Sequence, residues 1–106
     1  MSETSFIIYL DDVQRNRYRH WHRWENGQVI AFVLQYETWL DGEWHPVVRY
    51  DTAHGYPHRD LLHPNGTQTK EFFTHYTNAE VLTIGQRDIV ENWVAYRAVY
   101  LQEQEQ

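Results

Sequence analysis

The first two thirds of the chain consist of short stretches in which apolar and polar residues alternate or β-branched and aromatic residues dominate. Such stretches predict β-strands, because successive side chains of a strand point to opposite faces of a sheet. Asn-Gly or Asp-Gly pairs at 26–27, 41–42 and 65–66 favour two-residue hairpin turns, whose central residues both adopt positive φ. We therefore predict an antiparallel meander with strands over 5–10, 15–25, 29–40, 43–51, 61–63 and 67–73, the first being an edge strand or a terminal arm.

The last third of the chain changes to a helical period. Thr83 and Gln86 fit a capping box, which predicts the start of a helix over about 84–102. The helix has an apolar stripe, which should pack on the sheet. The stripe comprises Ile89, Trp93, Tyr96 and Tyr100, supported by Val90, Ala95 and Leu101. The predicted fold class is α+β: an antiparallel β-meander of four to six strands with one C-terminal α-helix on one face, in a single domain over 1–106.

The two early turns predict which side chains share a face, because a two-residue turn fixes the register of its hairpin. One face should carry Arg17, Arg19, Trp21, Arg23, Ile30, Phe32, Leu34, Tyr36, Val47, Arg49 and Asp51. The other, which is better suited to receive the helix, should carry Tyr18, His20, His22, Trp24, Val29, Ala31, Val33, Val48 and Tyr50. A bulge at Pro46 would move Arg49 and Asp51 across the sheet.

Composition narrows the class of protein. The chain has no cysteine, which excludes disulfides and thiolate zinc sites. It has no apolar run long enough for a membrane span and no signal-peptide pattern at its start, so we expect a cytoplasmic protein. The net charge of −6 argues against extensive coating by nucleic acid, although four of the nine basic residues fall within 15–23.

The candidate chemistry is concentrated in residues 47–64. The candidate catalytic residues there are Arg49, Asp51, His54, His58, Asp60 and His63. One interpretation is metal-independent phosphoryl chemistry on RNA, with His58 and either His54 or His63 as acid and base. Arg49 would bind phosphate, with Arg19 or Arg59 assisting it, and Asp51 would orient a histidine.

Two other interpretations of the same residues remain open. A divalent metal site could use His54, His58, Asp60 or His63, but Gly55 and Pro57 argue against a shared helical face, so we predict neither a metal nor another cofactor. The residues could instead be structural, since His and Asp hydrogen-bond loop backbones and Arg–Asp neighbours form ion pairs.

The basic strip at 15–23 suggests a second candidate surface. Its arginines could hold phosphates while Tyr18, Trp21 and Trp24 stack on bases. A solvated strand face, with arginine stems covering aromatic rings, is the simpler interpretation. The candidate nucleic-acid-binding residues are Arg17, Arg19, Trp21 and Arg59.

The motif RYDTAHG…HRD…HP, with the turn at 65–66 and the helical segment around 91–97, resembles an uncharacterised family of small prokaryotic proteins. Tyr50, Asp51, Gly55 and His58 are also similar to a pattern in the TumE-like toxins of bacterial toxin–antitoxin pairs. That similarity implies a compact toxin that acts on RNA and is neutralised by a partner protein.

The leading hypothesis is therefore a toxin-like, endoribonuclease-type protein, and the alternative is a non-enzymatic protein- or nucleic-acid-binding module that uses the Trp/Arg strand and the open sheet face. The partners that these hypotheses allow are RNA, an antitoxin-like protein and a second copy of the chain. Neither hypothesis involves a membrane.

Overall fold

The strands form one antiparallel sheet in which each strand pairs with the next along the chain, as the computed structural model of residues 1–106 shows. The strands are β1 (Ser2–Tyr9), β2 (Asn16–Glu25), β3 (Gln28–Leu40), β4 (Glu43–Asp51), β5 (His58–Leu62) and β6 (Gln68–Phe72). One long helix, α1 (Asn78–Gln104), follows them. The predicted α+β meander with a C-terminal helix is confirmed.

Two of the three predicted turns have the expected geometry. Asn26 and Gly27 have φ of 51° and 75°, and Asp41 and Gly42 have φ of 52° and 82°, as a two-residue turn of this kind requires. The prediction at 65–66 is wrong, since only Gly66 has positive φ there. The His63 amide donates to the Thr67 carbonyl at 2.9 Å, so the loop has three residues, 64–66.

Bulges on both sides of β3 overturn part of the predicted register. The ladder between β2 and β3 shifts by one residue next to Arg23, and the ladder between β3 and β4 shifts next to Pro46. His20 therefore lies opposite Leu34, where Arg19 was expected. Because each bulge shifts the register by one residue, the two cancel across β3, so Arg19 and Arg49 keep their predicted relation while the β3 side chains between the bulges exchange faces. The prediction for Val47 is wrong, since it is the extra residue of the β4 bulge and is buried in the core.

The two faces of the sheet have different roles. The helix-side face packs on α1, and its buried residues are Tyr18, His20, Phe32, Leu34, Tyr36, Val48 and Tyr50. The other face, which we call the open face, has no helix on it. It carries Glu3, Ser5, Ile7, Arg17, Arg19, Trp21, Arg23, Val33, Gln35, Glu37, Arg49, Asp51, His58, Asp60, Lys70 and Phe72.

The helix begins six residues before its predicted start. Thr77 is the N-cap: its side chain accepts from the Glu80 amide while the Glu80 side chain accepts from the Thr77 amide. The predicted cap, Thr83, lies inside the helix and donates to the Ala79 carbonyl. The predicted stripe packs on the core with Val81, Leu82 and Gly85 added, whereas Val90 is exposed.

A small residue lets α1 approach the sheet closely. A Cβ added at Gly85 would lie 2.9 Å from Cγ of Tyr50 and 3.0 Å from Cδ1 of Leu34, closer than such atoms pack. No helix of the protein combines the length and the apolar character needed to cross a bilayer.

Candidate functional site

Strands β4 and β5 bring three of the predicted site residues together on the open face. Asp51 pairs with His58 and Arg49 pairs with Asp60, so side chains of the two strands point the same way from neighbouring positions. Asp51, His58 and Asp60, which we call the carboxylate–imidazole cluster, keep only 7%, 1% and 3% of their surface exposed. Their ligand-type atoms all lie within 4.8 Å of one another.

The imidazole of His58 is held at both nitrogens. Nε2 lies 3.0 Å from Asp51 Oδ1 and 3.3 Å from Asp60 Oδ2. Nδ1 lies 3.1 Å from the backbone carbonyl oxygen of Tyr56. Because neither nitrogen faces solvent, His58 in this position cannot exchange a proton directly with a substrate.

The surroundings of the cluster add one cation and an aromatic ring. Lys70, on β6, lies 2.9 Å from Asp60 Oδ1, although this buried oxygen accepts no hydrogen bond of good geometry. Phe72 packs beside His58 with ring centroids 5.7 Å apart. Oδ1 of Asp51 also accepts from the amide of Ala53, and this bond anchors the loop that follows β4.

The other predicted site residues lie at different distances from the cluster. His54 is exposed in the short 3-10 turn Ala53–Gly55, with its ring centroid 6.4 Å from that of His58. His63 is outside the cluster: its two nitrogens contact Glu103 Oε2 at 2.8 Å and Thr69 Oγ1 at 2.7 Å. His63 therefore links the β5–β6 hairpin to the end of α1.

The predicted nucleic-acid-binding residues divide between the two faces. Arg17, Arg19 and Trp21 share the open face, while Arg59 lies on the helix-side face and donates to the Tyr96 hydroxyl at 3.1 Å. Arg59 also pairs with Glu71 at 3.4 Å. It therefore does not belong to the surface formed by the other three.

A groove of about 730 Å³ runs along the open face over β1, β2 and β3. Its lining residues are Ser5, Phe6, Ile7, Arg19, His20, Trp21, Val33 and Gln35. Val33 and Gln35 pair directly with Asp51 and Arg49 of the next strand. The groove therefore borders the carboxylate–imidazole cluster.

The arginines along the groove differ in how strongly they are already bound. Arg17 donates to Glu37 at 2.7 Å and stacks 3.8 Å above the Trp44 ring centroid. Arg49 donates to the Gln35 side chain at 2.8 Å. Arg19, in contrast, keeps 59% of its side chain exposed and approaches Glu37 only to 3.9 Å. Arg19 is therefore the cation of this group that a ligand can reach most readily.

Sequence reasoning missed Lys70, Gln35 and Glu37 as parts of this surface. Alternation in the last strand would have placed Lys70, the sole lysine of the chain, on one face with Phe72. Gln35 and Glu37 could not be assigned, because the bulges invert the faces of β3 relative to the simple register.

The helix-side face holds two polar networks. The hydroxyls of Tyr50 and Tyr96 both donate to Asp88 Oδ2. Burial, reinforced by Asp88, raises the pKa of Tyr50 and raises the pKa of Tyr96 to about 12, so both phenols remain donors at neutral pH. In the second network, burial and the neighbouring His22 lower the pKa of His20 to about 4.

Together the fold and the site define an α+β protein with an exposed, arginine-lined sheet face that borders a buried carboxylate–imidazole cluster. A family model described as a domain of unknown function, DUF7718, matches residues 1–106, and the chain belongs to this family. No curated protein and no solved structure matches it. The expectation of an uncharacterised family is confirmed, while the family match does not bear on the similarity to TumE-like toxins.

Proposed function

We propose that the protein binds single-stranded RNA on the open face of its sheet. The observation that carries this proposal is the position of Arg19 and Trp21, which both line the groove while 59% of the Arg19 side chain remains exposed. Arg19 would bind a phosphate and the Trp21 ring would stack on a base, the combination used by many single-strand-binding surfaces.

The distribution of charge supports the choice of this face. The open face holds five of the nine basic residues but only four of the fifteen acidic ones. The acidic excess that gives the chain its net charge of −6 therefore lies elsewhere. A polyanion would be guided to the open face and repelled from the rest of the surface.

Internal ion pairs limit the affinity that this surface can supply. Arg17 is already paired with Glu37, and Arg49 is held by Gln35, so both are better suited to shaping the surface than to neutralising phosphate. Arg19 and Arg23 remain for the RNA backbone, since Arg23 is only half-buried and makes no ion pair. We therefore expect modest binding with few phosphate contacts.

Cleavage of the bound RNA, the catalytic part of the sequence-based hypothesis, has narrower support. The contact between Asp51 and His58 matches the orienting role assigned to Asp51. However, both nitrogens of His58 are engaged and His63 lies with Glu103. We accordingly propose binding as the function and treat cleavage as an additional outcome of the same assay.

The test measures the fluorescence anisotropy of a labelled RNA of about 12 nucleotides, a length that one such surface can cover. Wild type should bind, Arg19→Gln should weaken binding about tenfold, and Arg87→Gln, an equal charge change on the outer face of α1, should leave it unchanged. Equal affinity of the two variants would refute the assigned surface.

The same samples resolved on a denaturing gel report cleavage directly. For the toxin-like alternative, expression of the wild-type chain should arrest bacterial growth and His58→Ala should restore it. Normal growth with the wild-type chain and intact RNA on the gel would rule out the toxin hypothesis and leave binding as the function.

A further inference from the structure

We infer that Asp51, His58 and Asp60 form a binding site for a divalent transition-metal ion, a site that does not depend on the proposed RNA binding. The three residues come from adjacent strands, and all are more than nine-tenths buried. One imidazole and two carboxylates form a mixed nitrogen and oxygen donor set, which suits Zn²⁺ or Mn²⁺ better than Ca²⁺.

The hydrogen bond at Nδ1 of His58 determines that, in the neutral ring, the lone pair is on Nε2. The Tyr56 carbonyl can only accept a hydrogen bond, so Nδ1, 3.1 Å away, must carry the proton. In the neutral ring, Nε2 then presents a lone pair to two carboxylate oxygens at 3.0 Å and 3.3 Å. Three acceptors directed at one point repel one another unless a cation lies between them.

A ligating histidine usually has this arrangement, in which one nitrogen binds the metal and the other donates to a backbone carbonyl. The spacing also agrees. Donor atoms bound at about 2.1 Å stand about 3.0 Å apart around an octahedral ion and about 3.4 Å apart around a tetrahedral one. The two distances from Nε2, 3.0 Å and 3.3 Å, fall in this range.

The negative charge of the cluster is not fully balanced by its neighbours, so a bound cation would be favourable. Two buried carboxylates face one ammonium, that of Lys70, which lies on the outer oxygen of Asp60 and not between the carboxylates. The competing arrangement is a proton on Nε2, which would make His58 an imidazolium shared by Asp51 and Asp60. A metal ion and this proton exclude each other, so an experiment can distinguish them.

The first experiment uses the full chain, treated with a chelator that is then removed, and follows thermal unfolding by circular dichroism with added ZnCl2 or MnCl2 at neutral pH. We expect Tm to rise with metal concentration, by about 10 °C when the metal is about 100-fold above its Kd. Asp60→Asn, which keeps the side-chain volume, should lose the rise, whereas Asp12→Asn on an exposed loop should retain it.

The second experiment observes the ring nitrogens of His58 by ¹⁵N NMR in the wild-type protein, so it does not depend on a variant folding. On ZnCl2 addition the Nε2 resonance should move to the range of a ligated nitrogen while Nδ1 stays protonated. An Nε2 that stays protonated at saturating zinc, an unchanged Tm with both metals, or an equal rise in Asp60→Asn would each overturn the assignment.

Discussion

Acidification should destabilise this protein through a single buried ring, that of His20. Gln86 of α1 lies 3.1 Å from His20 Nδ1, and His20 Nε2 lies 2.7 Å from His22 Nδ1. If the Gln86 amide donates to Nδ1, the neutral ring donates in turn from Nε2 to His22, and no position is left for a second proton. The Phe6 ring stacks on His20 with centroids 4.2 Å apart and helps to exclude water.

The size of the effect follows from proton linkage. The pKa of His20 is about 4 in the folded protein against an ordinary 6.5. When the pH is above the ordinary pKa of 6.5, His20 is neutral in both the folded and the unfolded protein, and stability is at its full level. As the pH falls from 6.5 toward the pKa of the folded protein, His20 binds a proton only in the unfolded state. Stability is therefore lost between about pH 6.5 and about pH 4, by roughly 2–3 kcal/mol.

The assay is urea unfolding followed by tryptophan fluorescence from about pH 7 to about pH 4 at constant ionic strength. His20→Gln removes the titrating group, so its free energy of unfolding should fall by roughly 2–3 kcal/mol less than that of wild type over this interval. His75→Gln, an exposed position, should follow wild type. Parallel pH profiles for His20→Gln and wild type would refute the reasoning.

Two further predictions concern the attachment of α1. Gly85→Ala should destabilise the protein by about 1–2 kcal/mol in urea unfolding, because the clash with Tyr50 and Leu34 exceeds the gain of roughly 1 kcal/mol in helix propensity; a stabilised variant would contradict the close approach. Thr77→Ala should cost about 1 kcal/mol through loss of the cap while Thr77→Ser costs little, and equal costs would show that the hydroxyl does not cap the helix.

The sequence predicted the meander because its signals are local. Two Gly-containing turns with positive φ at both central positions fix hairpins without help from the rest of the molecule. The start of α1 was misplaced because Thr83 and Gln86 imitate a capping box, while Thr77 and Glu80, six residues earlier, have the same spacing and form the actual one.

The faces of the sheet were harder to predict, since one bulge inverts every side chain beyond it. Pro46 indicated the bulge in β4, but no residue in the sequence indicated the bulge near Arg23. That Arg19 and Arg49 still share a face results from the cancellation of the two bulges.

The carboxylate–imidazole cluster was only partly foreseen. The strands predicted over 43–51 and 61–63 left out His58 and Asp60, whereas both belong to β5 and pair with β4. Because side chains alternate along β5, His58 and Asp60 lie on the same face as Asp51, and Arg59 lies on the other face. The sequence-based prediction of no metal considered only ligands on a shared helical face, and the proposed metal site on two paired strands replaces it.

The salt dependence of RNA affinity tests the central claim, binding on the open face, most directly. Each phosphate contact on a single strand contributes about −0.7 to the slope of log K against log salt concentration, so Arg19 and Arg23 together predict about −1.4. Arg19→Gln should reduce the slope to about −0.7, and Arg87→Gln should not change it. A flat response in wild type, or an unchanged slope in Arg19→Gln, would contradict binding at this surface.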